Sequence, residues 1–225
     1  MPETLLRTKL TVPPLRPSLI PRAHLIKGLN QAPKLGNKLI LISAPAGFGK
    51  TTLLSAWVQQ SELRPHTAWL SLEEGENDLA RFLAYLIAAL QTIDSDVGKG
   101  LVAALQSSEA VDVEMILTAL LNEIDELPND VFLVLDDYHV IEAQAVDRAV
   151  FFLIEHLPSQ LHLVIASRFD PSLPLSRLRA SGHMTEIRAH NLRFSSEEVA
   201  AFLNQTMGLH LSAQEIAALE SRTEG

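Results

Sequence analysis

The apolar run "LILIS" at residues 39–43, followed at once by the loop "APAGFGKTT", constrains the fold more than any other stretch of this chain. An unbroken apolar run of this length is typical of a strand that is buried on both faces. We expect a helix from Lys50 to Ser61 to follow the loop. A buried strand, a glycine-rich loop and a helix in this order are typical of a phosphate-binding unit.

Strand-like and helix-like stretches alternate along most of the chain. Short apolar runs predict strands, and apolar residues at helical spacing predict helices, one of them with Asn77 or Asp78 as its N-cap. The predicted strands are 38–43, 66–72, 131–137, 161–168 and 184–188, and the predicted helices are 22–29, 50–61, 77–90, 113–124 and 143–156. This alternation predicts an α/β fold in which helices flank a parallel sheet.

Changes in composition divide the chain into three parts. Residues 1–22 are rich in proline and are expected to be extended, whereas residues 23–190 contain the predicted sheet. Residues 191–225 contain two capping boxes and no strand, so we interpret them as the start of a helical subdomain that is cut short. The prolines are Pro13, Pro14, Pro17 and Pro21, and the capping boxes are Ser195 with Glu198 and Ser212 with Glu215.

Composition excludes several kinds of protein. The chain has no cysteine, which rules out disulfides and thiolate metal sites. A net charge of −9 argues against a nucleic-acid docking surface on this segment. The first residues lack the apolar core of a signal peptide, and the longest apolar runs are too short to span a bilayer. We therefore expect a cytoplasmic protein with no membrane partner.

The loop after the first strand carries the residue types that bind phosphate. Its backbone N–H groups and the helix N-terminus would cradle β- and γ-phosphates, Lys50 would place its ammonium between them, and Thr51 would offer a hydroxyl to Mg²⁺. The alternative is an ordinary strand–turn–helix corner with a surface lysine. The candidate nucleotide-binding residues of the loop are Ala46, Gly47, Phe48, Gly49, Lys50, Thr51 and Thr52.

One position departs from the usual phosphate-loop pattern G-x-x-x-x-G-K-[ST]. Ala44 stands where the first glycine is usual. Alanine is the smallest possible change, and it is tolerated wherever φ is negative. Pro45 follows directly and favours that extended geometry at Ala44. The departure therefore does not exclude a phosphate site.

Polar residues end two other predicted strands. Asp136 and Asp137 end "VFLVLDD", an arrangement typical of a Walker B strand, in which Asp136 would bind Mg²⁺ together with Thr51 and Asp137 would polarise the attacking water. The alternative is a pair of carboxylates that cap a strand or helix. Arg168 ends "LHLVIASR", a strand expected to lie between the other two, where the guanidinium would sense phosphate charge or remain at the surface. For His139, positioning and purely structural roles stay open.

Several stretches together resemble one family. They are "RxxLI" after the proline-rich lead, "SAPAGFGKTT", "WLSLEEGENDLARFLAYLIAAL", "VLDDYHVI", "HLVIASR" and "LRFSSEEVAAFL". The chain resembles the N-terminal nucleotide-binding domain of the large ATP-binding LuxR-type transcriptional regulators. These are signal-transduction ATPases with numerous domains (STAND), whose P-loop NTPase fold is of the ASCE, AAA+-like kind. Members of this family commonly carry a small residue at the position of Ala44.

The resemblance implies roles for named residues. Lys50 and Thr51 would bind ATP and Mg²⁺, Asp136 and Asp137 would form the Walker B pair, and Arg168 would be the sensor-1 residue. Arg22, at the end of the lead, would border the adenine.

The resemblance also implies a function. ADP would hold an inactive form, ATP and a small-molecule inducer would permit self-association, and slow hydrolysis would reset the switch. Inducer and DNA would bind through further domains, DNA through a C-terminal helix-turn-helix. The alternatives are a turnover ATPase such as an AAA-type motor, a small-molecule kinase, and a scaffold that binds nucleotide only for stability.

Overall fold

The computed structural model describes residues 5–16, 19–105 and 112–220. At its centre lies a five-stranded sheet in the order β2-β3-β4-β1-β5, in which neighbouring strands are parallel. The strands are β1 (Leu39–Ser43), β2 (Thr67–Ser71), β3 (Val131–Asp136), β4 (Leu161–Ser167) and β5 (Met184–Arg188). The predicted parallel α/β sheet is therefore confirmed, and each strand bound lies within one residue of its predicted position.

Helices connect and flank the strands. The α-helices are α1 (Ala23–Gln31), α2 (Lys50–Gln60), α3 (Leu79–Leu90), α4 (Lys99–Leu105), α5 (Val113–Asp125), α6 (Gln144–His156), α7 (Leu175–Ala180), α8 (Ala189–Leu192), α9 (Ser196–Ala201) and α10 (Ala213–Glu220). Single 3₁₀ turns are Arg7–Leu10, Pro33–Leu35, Arg64–His66, Glu74–Asn77 and Tyr138–Val140, and a π-helical turn, Phe202–Thr206, follows α9. None of the described helices is long and apolar enough to cross a membrane.

Side chains from alternate positions of each strand enter two different cores. In β1, Leu39 and Leu41 pack with α3, α5 and α6 on one face, whereas Ile40 and Ile42 pack with α1 and α2 on the other. All residues of β1, β3 and β4 are buried. A slip of one residue would move every apolar side chain to the opposite core, so the register of these strands is well defined. The loops at their carboxyl ends are thereby held in fixed relative positions.

One turn near the start of the proline-rich lead differs from the expected extended conformation, whereas residues 12–16 and 19–22 form no helix. Arg7–Leu10 forms a 3₁₀ turn, and Lys9 is 4% exposed. Its ammonium pairs with Glu76, which is fully buried, and lies 4.5 Å from the ring centre of Tyr85. These partners are far away in sequence, so local propensity does not reveal the turn. Pro17 lies outside the described residues.

Hydrogen bonds identify the N-cap residues of the helices. Asp78 is the N-cap of α3, since its carboxylate accepts from the backbone N–H of Arg81 at 2.8 Å. Both predicted capping boxes form, with reciprocal bonds between Ser195 and Glu198 and between Ser212 and Glu215. The short helices α4, α7 and α8 were not predicted. Residues 221–225 of the expected helical subdomain lie outside the described part of the chain.

Replacing Gly98 by alanine is expected to destabilise the fold by about 2–4 kcal/mol. Gly98 has a φ of +68°, and an added Cβ would lie 2.5 Å from Cγ2 of the fully buried Ile87. Denaturant unfolding measures the effect. Gly100→Ala is the matched control, because this glycine lies inside α4 with no atom near an added Cβ, and the change should be neutral or stabilising. Equal midpoints for the two variants would contradict this account of Gly98.

Candidate functional site

The glycine-rich loop between β1 and α2 forms a backbone cradle. Gly47 and Gly49 have φ values of +87° and +76°, which side-chain-bearing residues rarely adopt. An added Cβ at either position would meet no atom within 4 Å, so the loop surrounds open space. Gly49 is the N-cap of α2, whose first free N–H groups face the same side. The loop and the helix N-terminus can therefore surround an anion.

Ala44 fits the strand exit without strain. The described non-glycine residues with positive φ are Glu62, Asp137 and His210, so Ala44 has the negative φ that alanine prefers. It is 2% exposed and packs in the core beneath α2. Its N–H donates to the carbonyl of Ser167 at 3.2 Å, which joins the loop to the end of β4. The missing glycine leaves the cradle intact.

Lys50 is buried at the base of the loop. Its side chain is 7% exposed, and Nζ donates to the carbonyls of Ala44 at 2.8 Å and Pro45 at 3.2 Å. Burial lowers the pKa of Lys50, whereas the charges of Asp137 and Asp136 act in the opposite direction. These geometric constraints exclude a freely solvated surface lysine. The ammonium is held beneath the open space of the cradle.

Thr51 and Asp136, the pair predicted to share Mg²⁺, are in direct contact. The Thr51 hydroxyl lies 2.9 and 3.1 Å from the two carboxylate oxygens of Asp136. Burial raises the pKa of Asp136 to about 6, although the hydrogen bond from Thr51 acts against the shift. Hydroxyl and carboxylate oxygens are the protein ligands that Mg²⁺ prefers. The two side chains thus present oxygen atoms of the kind that would hold a small, hard cation.

Asp137 and His139 lie at the mouth of a second cavity. Asp137 adopts a left-handed backbone with φ 57°, and its side chain is 48% exposed. His139 Nδ1 lies 3.7 Å from a carboxylate oxygen of Asp137. Burial and the nearby charge of Arg168 lower the pKa of His139, so the imidazole is neutral near pH 7. The cavity, of about 450 Å³, is lined by Leu72, Glu73, Glu74, Gly75, Asp137, His139, Val140 and Arg168.

Arg168 lies where the sequence predicted it. It follows β4, which pairs with β3 on one side and with β1 on the other. The side chain is exposed, and its charge is among the causes that lower the pKa of Lys50. Three neighbouring strands therefore deliver Lys50, Asp136 and Arg168 to one edge of the sheet. Lys50 and Arg168 thus place two cations at this edge, next to the carboxylates of Asp136 and Asp137.

A larger cavity, of about 710 Å³, opens beside the glycine-rich loop. One wall is the loop with the start of α2, a second is the proline-rich lead, and a third comes from residues after β5. Its lining includes Pro13, Pro14, Leu15, Arg16, Leu19, Ile20 and Arg22 from the lead, Ala46, Gly47, Phe48, Gly49, Thr51 and Thr52 from the loop, and Leu192, Phe194, Phe202 and Thr206 from the third wall. The stretch "LRFSSEEVAAFL", which contributes to the resemblance, contains Leu192, Phe194 and Phe202 of the third wall, but the sequence did not predict that these residues line a cavity.

Arg22 lies in the wall of this larger cavity, but its guanidinium is engaged by the protein. It donates to the backbone carbonyls at the end of α8 and pairs with Glu198 at 3.0 Å. The sequence predicted Arg22 at the nucleotide. The structure places Arg22 in the lining of the larger cavity, where its guanidinium contacts protein groups, and its role at a nucleotide stays a prediction.

Comparisons with known proteins show that the chain is similar to one segment of a transcriptional regulator and to one segment of a protein kinase. No model of a known protein family matches it. It is 34% identical to the HTH-type transcriptional regulator MalT of Cronobacter sakazakii over 201 residues, which are 89% of this chain and 22% of MalT. It is 32% identical to the serine/threonine-protein kinase PknK of Mycobacterium tuberculosis over 209 residues, which are 92% of this chain and 19% of PknK. The chain thus spans about a fifth of the length of these curated relatives.

Solved structures agree with the fold. The Walker-type ATPase paby2304 of Pyrococcus abyssi has a TM-score of 0.53 at 13% identity, with 92% of this chain and 64% of that chain covered. A chain of Drosophila ORC has a TM-score of 0.51 at 13% identity, with 96% and 54% covered. These likenesses identify a P-loop NTPase fold. Over about nine-tenths of its length the chain is similar to one segment of MalT and one segment of PknK, in agreement with the family that its motifs resemble.

Proposed function

We propose that the chain is a nucleotide-controlled regulatory domain that binds ATP or ADP with Mg²⁺ and hydrolyses ATP slowly. The supporting observation is the convergence of Lys50, Asp136 and Arg168 at one sheet edge, beside a backbone cradle and a cavity of about 710 Å³. That volume is in the range of small-molecule and cofactor sites. A cradle, a cation and a metal-binding carboxylate together suit a polyphosphate better than any other class of ligand.

Each residue has a separate task in this proposal. The N–H groups from Ala46 to Thr52 would surround the phosphates, and Lys50 would turn its ammonium from its own carbonyls toward them. Mg²⁺ on Thr51 and Asp136 would neutralise charge on the β- and γ-phosphates. Asp137, half-exposed at the second cavity, would accept a proton from the attacking water. His139 would limit the orientations of Asp137.

The regulatory part of the proposal rests on the relatives. MalT is named an HTH-type transcriptional regulator, and this chain matches about a fifth of its length. We propose that the domain acts in the cytoplasm as the switch of such a regulator, with inducer and DNA bound by other domains. ATP would favour self-association, and hydrolysis to ADP would end it.

The competing function is a turnover ATPase, and one set of measurements separates the two. ATP and ADP affinities are determined by calorimetry, and hydrolysis is followed under steady-state conditions. We expect measurable binding of both nucleotides and a turnover well below about 1 s⁻¹, the lower end of ordinary enzyme rates. A faster turnover would contradict the switch, and no binding at millimolar ATP would exclude both functions.

Replacing Arg168 by alanine is expected to weaken ATP binding about 5- to 20-fold and to leave ADP binding within about twofold, because the guanidinium would contact charge that only ATP carries. Competition titration with the two nucleotides measures the ratio of affinities. Arg177→Ala is the matched control, since this exposed arginine pairs with Glu155 away from both cavities. An unchanged ratio of ATP to ADP affinity in Arg168→Ala would refute the proposed role.

A further inference from the structure

Arg22 is the residue that joins two walls of the larger cavity. It is the last residue of the proline-rich lead before α1, and the lead forms one wall. The opposite wall consists of Leu192, Phe194 and Phe202, which lie near or within α8, α9 and the turn after them. Neither wall belongs to the sheet, so the packing of the sheet does not by itself fix the distance between the two walls.

The first set of contacts is with the end of α8. Nη1 donates to the carbonyl of Leu192 at 2.9 Å, and Nη2 donates to the carbonyls of Arg193 at 2.8 Å and Asn191 at 3.3 Å. The last carbonyls of a helix have no partner within the helix. A planar guanidinium can serve several of them at once, which an ammonium does less well. Arg22 thus caps α8 from the lead.

The second set of contacts is with the start of α9. Nε pairs with Glu198 at 3.0 Å, and the guanidinium lies 4.9 Å from the ring centre of Phe194. Glu198 is itself fixed by the capping box that it forms with Ser195. The side chains of Arg22 and Glu198 are only 10% and 13% exposed. The guanidinium is therefore engaged on both of its sides by protein groups.

We infer that Arg22 is a positioning residue that holds the pocket for the base and ribose in shape, and that it does not contact phosphate. This inference rests on the proposed function, in which the loop takes the phosphates and the larger cavity takes the nucleoside. The cavity walls that Arg22 joins are mainly apolar and aromatic, as suits a base. Affinity for the nucleoside part of a ligand then depends on Arg22, whereas affinity for a bare polyphosphate does not.

The test compares Arg22→Ala with the parent protein by calorimetry, using ATP, ADP and inorganic tripolyphosphate, each with Mg²⁺. We expect ATP and ADP to bind at least about tenfold more weakly, by the same factor, because base and ribose are common to both. Tripolyphosphate binding should stay within about twofold. Arg193→Ala is the matched control, because its side chain is exposed and its backbone carbonyl still accepts from Arg22.

Three results would overturn the inference. Unchanged ATP affinity would show that the walls of the larger cavity keep their positions without Arg22. An equal loss of tripolyphosphate binding would assign Arg22 a general role in folding, and a larger loss for ATP than for ADP would place its charge at the γ-phosphate. If the parent protein bound neither ATP nor tripolyphosphate, the proposed function itself would be wrong, and this inference with it.

A milder variant covers the case in which Arg22→Ala does not fold. Glu198→Gln removes the ion pair but leaves the bonds from Arg22 to the carbonyls. We expect the same pattern at about threefold, with ATP and ADP affected equally and tripolyphosphate unaffected. No change for any of the three ligands would contradict the part assigned to the ion pair.

Discussion

Replacing Lys50 by alanine is expected to lower ATP affinity about 100-fold or more. A hydrogen bond to a charged group contributes about 1.5–3 kcal/mol, and a buried ammonium between two phosphates would make more than one. Lys50 is 7% exposed and already has its Nζ within the loop, so little conformational freedom would be lost on binding. Calorimetric titration with ATP measures the loss.

Two controls make the Lys50 result specific. Lys27→Ala removes an exposed lysine from α1 and should leave ATP affinity within about twofold. The far-ultraviolet circular dichroism of Lys50→Ala should match that of the parent protein, because the strands and helices around the loop do not depend on this side chain. Retention of ATP affinity in folded Lys50→Ala would exclude the loop as the phosphate site.

Replacing Asp136 by asparagine should make the metal-free, nucleotide-free protein more stable at pH 7.5, by about 2–3 kcal/mol, while ATP hydrolysis falls about 100-fold or more. Burial raises the pKa of this carboxyl from 3.8 to about 6, so its ionised form is costly in the folded protein. Asparagine keeps an oxygen that can accept from Thr51 and removes the charge. Function and stability should therefore change in opposite directions.

The free energy of unfolding should also depend on pH in a direction that can be checked. Between pH 3.8 and about 6 the folded protein binds more protons at Asp136 than the unfolded chain does, so its contribution to stability falls as pH rises through that range. The advantage of Asp136→Asn should thus shrink from about 3 kcal/mol at pH 7.5 to below about 1 kcal/mol at pH 4. Denaturant unfolding at several pH values measures it. An advantage that did not vary with pH would contradict the assigned cause.

A control separates Asp136 from carboxylates in general. Asp125→Asn changes an exposed residue at the end of α5 and should alter the free energy of unfolding by less than about 0.5 kcal/mol at either pH.

The sheet was predictable because its signal is local. β1, β3 and β4 are short runs of mainly apolar residues, and all of their residues are buried, so the apolar pattern of the sequence agrees with the burial in the structure. The position of β4 between β1 and β3 also followed from the predicted fold class. The turn at Arg7–Leu10 could not be found in this way, because Lys9 is held by Glu76, a partner 67 residues away.

The candidate site was predictable only where a motif marks it. The loop residues, Asp136 and Arg168 stand at the carboxyl ends of neighbouring strands, as their spacing and order predicted. The stretches "RxxLI" and "LRFSSEEVAAFL" mark parts of the cavity walls as family features, but they do not show that these parts face each other across a cavity. Leu192 and Phe202 are ordinary apolar residues, and only the folded chain brings them opposite the proline-rich lead. Their roles, and those of the motif residues, remain predictions for the experiments above.

The hydrogen bond between the side chains of Thr51 and Asp136 links two strands that are not neighbours in the sheet. β1 and β3 do not pair with each other, since β4 lies between them. Thr51 lies in α2, which follows β1, and Asp136 ends β3. The 2.9 Å hydrogen bond from the Thr51 hydroxyl to the Asp136 carboxylate therefore connects two parts of the chain on either side of β4. Neighbouring strands are about 4.8 Å apart, so β1 and β3 lie roughly 10 Å from each other in the sheet. A ligand that binds both residues would therefore connect the carboxyl ends of β1 and β3 across β4. Release of that ligand would involve all three strands.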